Sequence, residues 1–196
     1  AFRAALPAHE GQTRKGDPIP YVSHPYHVAL LLARSGADDE TIQAGLLHDV
    51  VEDCEAWTSA RVEEEFGSEV AAVVAEVTER KGESWETRKG EALAAVETMS
   101  LRALVVKAAD KLHNMRSLGA RLDAASSPEE AWSHFSRGPA QTIAHARELV
   151  TALRRRLDAV DGFDALSVAP TLPGPGQSAT FALSGYNPGE VVTFTL

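Results

Sequence analysis

Only one cysteine, Cys54, occurs in the 196 residues. No internal disulfide can form, and a reduced, cytoplasmic setting is the expectation. Basic residues are in deficit: 19 Lys and Arg stand against 28 Asp and Glu, for a formal net charge of −9. A polynucleotide binder usually carries a net basic surface, so a nucleic-acid partner is not expected. A small anionic substrate fits, since a local basic pocket can sit inside an acidic protein. There is no apolar run long enough to span a bilayer, no signal-peptide pattern and no internal repeat, so no membrane partner is expected either. What is present is a hydrophobic content of 44%, enough for one domain to bury a full core.

The apolar spacing predicts an all-α body. Ser23 is placed to cap a helix that tolerates Pro25 in its first turn, carries the apolar run 28–33 and closes at Gly36. Asp38 or Asp39 caps a second helix over 41–53, with Ile42, Leu46 and Leu47 facing inward. A short amphipathic turn at 62–66 ends at Gly67, a buried helix spans 68–78, and a more charged one spans 83–99. Ser100 caps a helix over 101–118, Ser127 starts another, and the last runs to 157 with a break near Gly138-Pro139. From Ser167 the chain is rich in Pro, Gly, Ser and Thr. The β-prone runs 179–183 and 191–195 flank a turn at Tyr186-Asn187-Pro188-Gly189, which predicts a hairpin. A lone hairpin is marginal in water. It therefore packs on the body, pairs with another chain or begins a larger β unit, leaving monomeric and self-associated states both open. The expected division is a helical domain over 1–160 and a Pro/Gly-rich tail over 161–196.

Three separated places hold the residues that carry chemistry: His24, the run His48-Asp49-Val50-Val51-Glu52-Asp53, and Asp110-Lys111-Leu112-His113-Asn114. On a helix, residues four apart share a face, so His48 aligns with Glu52 and Asp49 with Asp53. These groups crowd the end of an apolar helix, and burying them is costly unless something cationic compensates. A divalent metal is the simplest compensation, with His24 and Asp110 as the best further ligands. Mixed imidazole and carboxylate donors suit Mn²⁺, Fe²⁺ or Zn²⁺. Such a site keeps open positions for water and a phosphoryl oxygen, with Glu52 and Asp53 placed as base and acid. His9, His27, His113, His134 and His145 read as surface or supporting residues, Cys54 as a small buried side chain, and Glu63-Glu64-Glu65 as a solvated face. Arg88 and Lys89 are open to either a phosphate or a surface role.

The order His24, His48-Asp49, Asp110 resembles the HD superfamily of metal-dependent phosphohydrolases. The likeness narrows at Ala8-His9-Glu10-Gly11-Gln12-Thr13-Arg14-Lys15, at Pro20-Tyr21-Val22-Ser23-His24-Pro25 and at Lys107-Ala108-Ala109-Asp110-Lys111-Leu112-His113-Asn114-Met115-Arg116. These blocks are similar to the hydrolase domain of Rel/SpoT-type (p)ppGpp enzymes. With no synthetase segment following, and with Trp132, Phe135, Arg137 and Gly138 resembling a closing helix, the stand-alone small alarmone hydrolases are the nearer likeness. The resemblance implies an HD-domain helical bundle that removes the 3′-pyrophosphate of ppGpp to leave GDP. It implies Mn²⁺ ligands at His24, His48, Asp49 and Asp110, and Glu52 and Asp53 as the pair that activates water. It places Arg14 and Lys15 beside the guanine base and its ribose, and Asn114 and Ser117 near the nucleotide. Among the cations Lys107, Lys111 and Arg116, Lys111 is chosen to meet the phosphates. The family also leaves open the 2′-phosphate of NADPH as substrate, or alarmone binding without cleavage. Pro7 departs from the pattern: it falls inside the family's first helix and should kink or restart it.

Overall fold

Capping side chains mark the start of several helices. In the computed structural model, which describes residues 1–160, 178–182 and 191–195, the chain falls into two compact units, Ala1–Asp110 and Lys111–Leu196. The first unit holds α1 (Phe2–Ala8), α2 (Ser23–Arg34), α3 (Asp39–Leu47), α4 (Val50–Asp53), α5 (Ser59–Phe66), α6 (Ser68–Val77), α7 (Trp85–Ala95) and the start of α8 (Leu101–Ala124). Asp38 Oδ1 accepts the Thr41 N–H at 2.9 Å, and Ser84 Oγ accepts that of Thr87 at 3.0 Å. Thr58 does the same for Arg61 and so starts α5 three residues before the expected turn. Gly67, at φ 87°, provides the sharp corner between α5 and α6. Gly36, at φ 77°, closes α2 as expected.

Two expectations are corrected. Ser23 lies inside α2 rather than capping it, and the cap position is Val22. The preceding turn already supplies acceptors: Ser23 N–H donates to the Pro20 carbonyl and His24 N–H to that of Tyr21. The helix expected over 41–53 is interrupted at His48 and Asp49. His48 Nδ1 bonds the Gly45 carbonyl at 2.8 Å, the acceptor that Asp49 N–H would take in an unbroken α-helix. Asp49 sits at φ −99° and ψ −8°, in the bridge region. Helical pairing resumes with Asp53 N–H donating to the Asp49 carbonyl at 2.8 Å. Pro7 lies inside α1, which ends one residue later at Ala8.

α3 is the central element of the first unit and packs against α1, α2 and α6. Leu32, Ala44, Leu47, Val50, Val62, Val70, Val74, Leu104 and Val106 form its core, each fully buried or nearly so. Gly45 permits the closeness of α3 and α2, since a Cβ built there would overlap Leu32. Arg102 ties α8 to α3 and α6 by donating to Asp38, at 2.7 and 2.9 Å, and to Glu69 at 2.8 Å.

The second unit carries the rest of α8, which runs past the expected end at 118, with α9 (Pro128–Trp132) and α10 (Pro139–Asp158). Ser127 caps α9 as expected. Ala146, Leu149, Val150, Leu153 and Leu157 form one buried stripe on α10. Trp132 ends α9 with its ring tilted against that of Phe135, centroids 5.0 Å apart, while Phe135 and Arg137 lie in the following loop rather than in a helix. β1 (Ser178–Ala182) and β2 (Val191–Thr195) pair antiparallel, Ser178 opposite Thr195 and Ala182 opposite Val191. The chain is thus all-α with a short β-hairpin at its end, while the turn at 186–189 lies outside the described residues. No helix among the described residues is long and apolar enough to cross a membrane.

The close approach at Gly45 is testable. Gly45→Val adds branched bulk against Leu32 and should lower folding stability by about 1–3 kcal/mol, read as a lowered urea midpoint at unchanged m. An unchanged midpoint would show that the two helices have room to spare.

Candidate metal centre

Three segments deliver four side chains to one point of the first unit. His24 is the second residue of α2, His48 and Asp49 form the break between α3 and α4, and Asp110 comes from α8. His24 Nε2 lies 3.2 Å from Asp110 Oδ1 and 3.5 Å from Asp49 Oδ2. His48 Nε2 lies 3.1 Å from Asp49 Oδ2 and 3.9 Å from Asp110 Oδ1. Ligand atoms of His24, His48 and Asp110 all fall within 4.8 Å of one another, so these three are positioned to hold a metal ion. Both imidazoles are buried, and the carboxylates are only slightly exposed.

Hydrogen bonding identifies which atoms face the point of convergence. His48 Nδ1 is engaged by the Gly45 carbonyl and so carries its hydrogen there. Its Nε2 is buried, makes no well-directed hydrogen bond and faces the carboxylates, with Asp49 Oδ2 at 3.1 Å. An orphaned imidazole nitrogen among carboxylates is what a metal ligand oriented by a backbone carbonyl looks like before the ion arrives. The donor set is likewise suited to a divalent ion of the Mn²⁺, Fe²⁺ or Zn²⁺ type.

The electrostatics of the cluster point the same way. Burial disfavours charge on His48, but the Asp49 and Asp110 carboxylates outweigh it and push the pKa up to about 9. Burial would raise Asp49, yet His48 and His24 pull it down to about 2. His24 is lowered by burial, with Asp110 acting against the shift. The negative pair therefore demands a positive charge, either a proton on His48 or a cation between the four groups.

Sequence reasoning missed the residue that holds Asp49. Tyr21 donates its hydroxyl to Asp49 Oδ2 at 2.7 Å. Burial and the charges of Asp49 and Asp53 raise the Tyr21 pKa, so the hydroxyl stays protonated as a donor. Its one signal in the sequence is an aromatic three residues ahead of His24, whose hydroxyl must find a partner when buried.

Glu52 and Asp53 lie on α4, one turn beyond the break. Glu52 Oε2 accepts the Glu79 N–H at 3.3 Å. Burial, then the charges of Glu79 and Asp53, raise the Glu52 pKa. Glu79 itself is held ionised against its burial by Lys89, with Nζ at 2.7 and 2.9 Å, and by Lys107 and Arg88. Arg88 and Lys89 thus have a third role, as partners of Glu79. Asp53 Oδ1 lies 3.4 Å from the exposed Lys81 ammonium. Lys107, read as a spare cation, is buried and donates to the Val77 carbonyl at the end of α6.

The expected substrate contacts are placed unevenly. Arg14 lies over the Tyr21 ring, 5.6 Å from its centroid, on a loop closed by the Thr13–Pro20 bridge and the Arg14 N–H to Ile19 carbonyl bond. Lys15 is exposed on the same loop. Lys111, Asn114 and Ser117 follow Asp110 along α8, inside the second unit, where each is half-buried. His27 is exposed, whereas His9 is buried.

Comparison with known proteins adds a family. The HD domain family matches residues 1–136. The guanosine-3′,5′-bis(diphosphate) 3′-pyrophosphohydrolase of Vibrio cholerae is 41% identical over 128 residues, covering 61% of this chain and 18% of that protein. The bifunctional (p)ppGpp synthase/hydrolase SpoT of Escherichia coli is 40% identical over 127 residues, covering 61% and 18%. The chain therefore spans 18% of the length of these relatives. A solved structure of a metazoan ortholog of SpoT, described as hydrolysing ppGpp and acting in starvation responses, superposes with a TM-score of 0.66. It is 34% identical, covering 78% of this chain and 83% of that one. A Listeria monocytogenes crystal structure gives a TM-score of 0.62 at 38% identity, covering 67% and 83%.

A raised His48 has a measurable consequence. Below pH 9 an entering ion must displace the His48 proton, so apparent affinity should climb roughly tenfold per pH unit as pH rises toward that value. Calorimetric titration with Mn²⁺ between about pH 6.5 and 8.5, in buffers of different ionisation enthalpy, should show one proton released. An affinity that does not change with pH would remove His48 from the ligand set.

Proposed function

The chain belongs to the HD domain family, and on that premise we propose that it is a metal-dependent (p)ppGpp 3′-pyrophosphohydrolase. Residues 1–160 form the hydrolase domain and 161–196 a tail. The observation that carries the reading is the orphaned, buried Nε2 of His48 facing two carboxylates and a second imidazole. The relatives' activity on ppGpp supports the substrate, and the net charge of −9 supports a small nucleotide over a nucleic acid. The lone Cys54 supports a reducing, cytoplasmic setting.

His24, His48, Asp49 and Asp110 would hold the ion, which we take to be Mn²⁺; the same donors suit Fe²⁺ and Zn²⁺. What the bound ion supplies is Lewis acidity toward a phosphoryl oxygen and toward water. Glu52, its pKa raised, takes a proton from the attacking water, and Asp53 completes the acid–base pair. Water adds to the phosphorus attached to the ribose 3′ oxygen, that P–O bond breaks, and pyrophosphate and GDP leave. Arg14 and Lys15 bind on the base and ribose side. Lys111 meets phosphate, and Asn114 and Ser117 contact the nucleotide.

Glu52→Gln and Asp53→Asn should each lower kcat for ppGpp by about 10²–10⁴ while Mn²⁺ content stays at the wild-type value. Because Glu52 must be ionised to accept a proton, wild-type kcat should fall with acid through a pKa above the ordinary carboxylate range. The Glu52→Gln protein should lack that limb. Chromatographic detection of GDP and pyrophosphate reads both. Full activity in either variant, or turnover of NADPH in place of ppGpp, would overturn the assignment concerned.

A further inference from the structure

Gln12 takes no part in the roles assigned above, yet its side chain is fully engaged. Its Nε2 donates to the main-chain carbonyl of Asp53 at 3.0 Å and lies 3.9 Å from Cys54 Sγ. Its Oε1 lies 2.9 Å from His9 Nδ1. Its own carbonyl accepts the Tyr21 N–H at 2.8 Å. One residue therefore grips the end of α4 and the loop whose Tyr21 hydroxyl holds Asp49.

The chemistry of the amide orders these contacts. A carbonyl can only accept, so Nε2 must face Asp53 and Oε1 must face His9. The His9 nitrogen on that side therefore carries a hydrogen, which Cys54 Sγ, at 3.5 Å, also approaches. His9 is 2% exposed and its other ring nitrogen is buried without a hydrogen-bond partner. An imidazole with an orphan nitrogen is an unfavourable core residue unless its donor is needed. The need is visible at α4, a helix of four residues. So short a helix is not stable alone, and its last carbonyls have no partner within it. Asp53 presents one of those carbonyls, and Gln12 is its donor.

We propose, on the reading of the preceding subsection, that Gln12, held in orientation by His9, is a positioning residue. It sets the Asp53 carboxylate relative to the metal ligands by fixing the Asp53 main chain and the Tyr21 loop together. The ligands themselves are held by contacts in which the Gln12 side chain takes no part: His48 by the Gly45 carbonyl, and Asp49 by the hydroxyl of Tyr21, whose N–H meets only the Gln12 main-chain carbonyl. Loss of the joint should therefore disturb Asp53 more than the ion.

Gln12→Met keeps the length of the side chain and removes both polar contacts. Its kcat on ppGpp with Mn²⁺ is expected to fall by about ten- to a hundredfold, the cost of a misplaced catalytic group. KM and metal content per chain should stay close to wild type. His9→Phe should follow Gln12→Met, whereas His9→Asn, which offers an amide donor to Oε1, should recover most of the rate. A purely structural role would instead lower rate, metal content and folded fraction together and show no rescue. The crystal structure of Gln12→Met provides a readout free of turnover: Asp53 displaced, with His24, His48, Asp49 and Asp110 in place. An Asp53 that has not moved, a kcat within about twofold of wild type, or a loss that tracks metal content overturns the proposal. Wild-type inactivity on ppGpp would count against the substrate alone, because the variant-to-wild-type ratio can be taken equally with bis(p-nitrophenyl) phosphate.

Discussion

Two carboxylates held within 4 Å of two buried imidazoles form an arrangement that water cannot stabilise and that the rest of the first unit is organised to maintain. Asp49 and Asp110 approach His24 and His48 at 3.1–3.9 Å. Without compensation, burying such a set costs several kcal/mol. A proton on His48 can answer that charge: the carboxylates push its pKa up to about 9, while His48 pulls Asp49 down to about 2. A divalent ion would replace that proton with twice the charge.

The surrounding structure serves this charge balance through ordinary packing and hydrogen bonds. Gly45 lets α3 lie close to α2, and its carbonyl also fixes the His48 ring. The two-residue interruption after α3 turns neighbouring residues, His48 and Asp49, toward the same point. Tyr21 holds Asp49, and Lys107 holds the end of α6 just ahead of Glu79. Glu79, kept ionised by Lys89, then acts on Glu52 through its N–H and its charge. Each link is modest, and together they place a carboxyl of raised pKa beside a site built for a cation.

Much of this was legible in the sequence because spacing and residue type carried it. The apolar periodicity located the helices, Asp38 or Asp39 and Ser127 marked helix starts, and the run from His48 to Asp53 stood out as costly polar groups at the end of an apolar helix, with His24 and Asp110 as the best further ligands. Helix periodicity failed at 48–49 because a side-chain bond to a main-chain carbonyl is invisible to it. Ser23 reads as a cap by residue type, but the Pro20 and Tyr21 carbonyls meet the first N–H groups of α2 through a turn that residue type does not reveal. Nothing in the motif shows what Tyr21, Gln12 and His9 touch, since Asp49, Asp53 and Cys54 lie 28, 41 and 45 residues away from them. Long-range hydrogen bonds of that kind leave no periodic trace.

The central claim is that four side chains from three segments bind one divalent ion. Anomalous diffraction at the Mn absorption edge, from crystals grown with Mn²⁺, tests it most directly. One peak is expected, at about 2.0–2.3 Å from Nε2 of His24 and His48 and from a carboxylate oxygen of each of Asp49 and Asp110. No peak among these residues, or a peak bound elsewhere while they remain paired with one another, would contradict it.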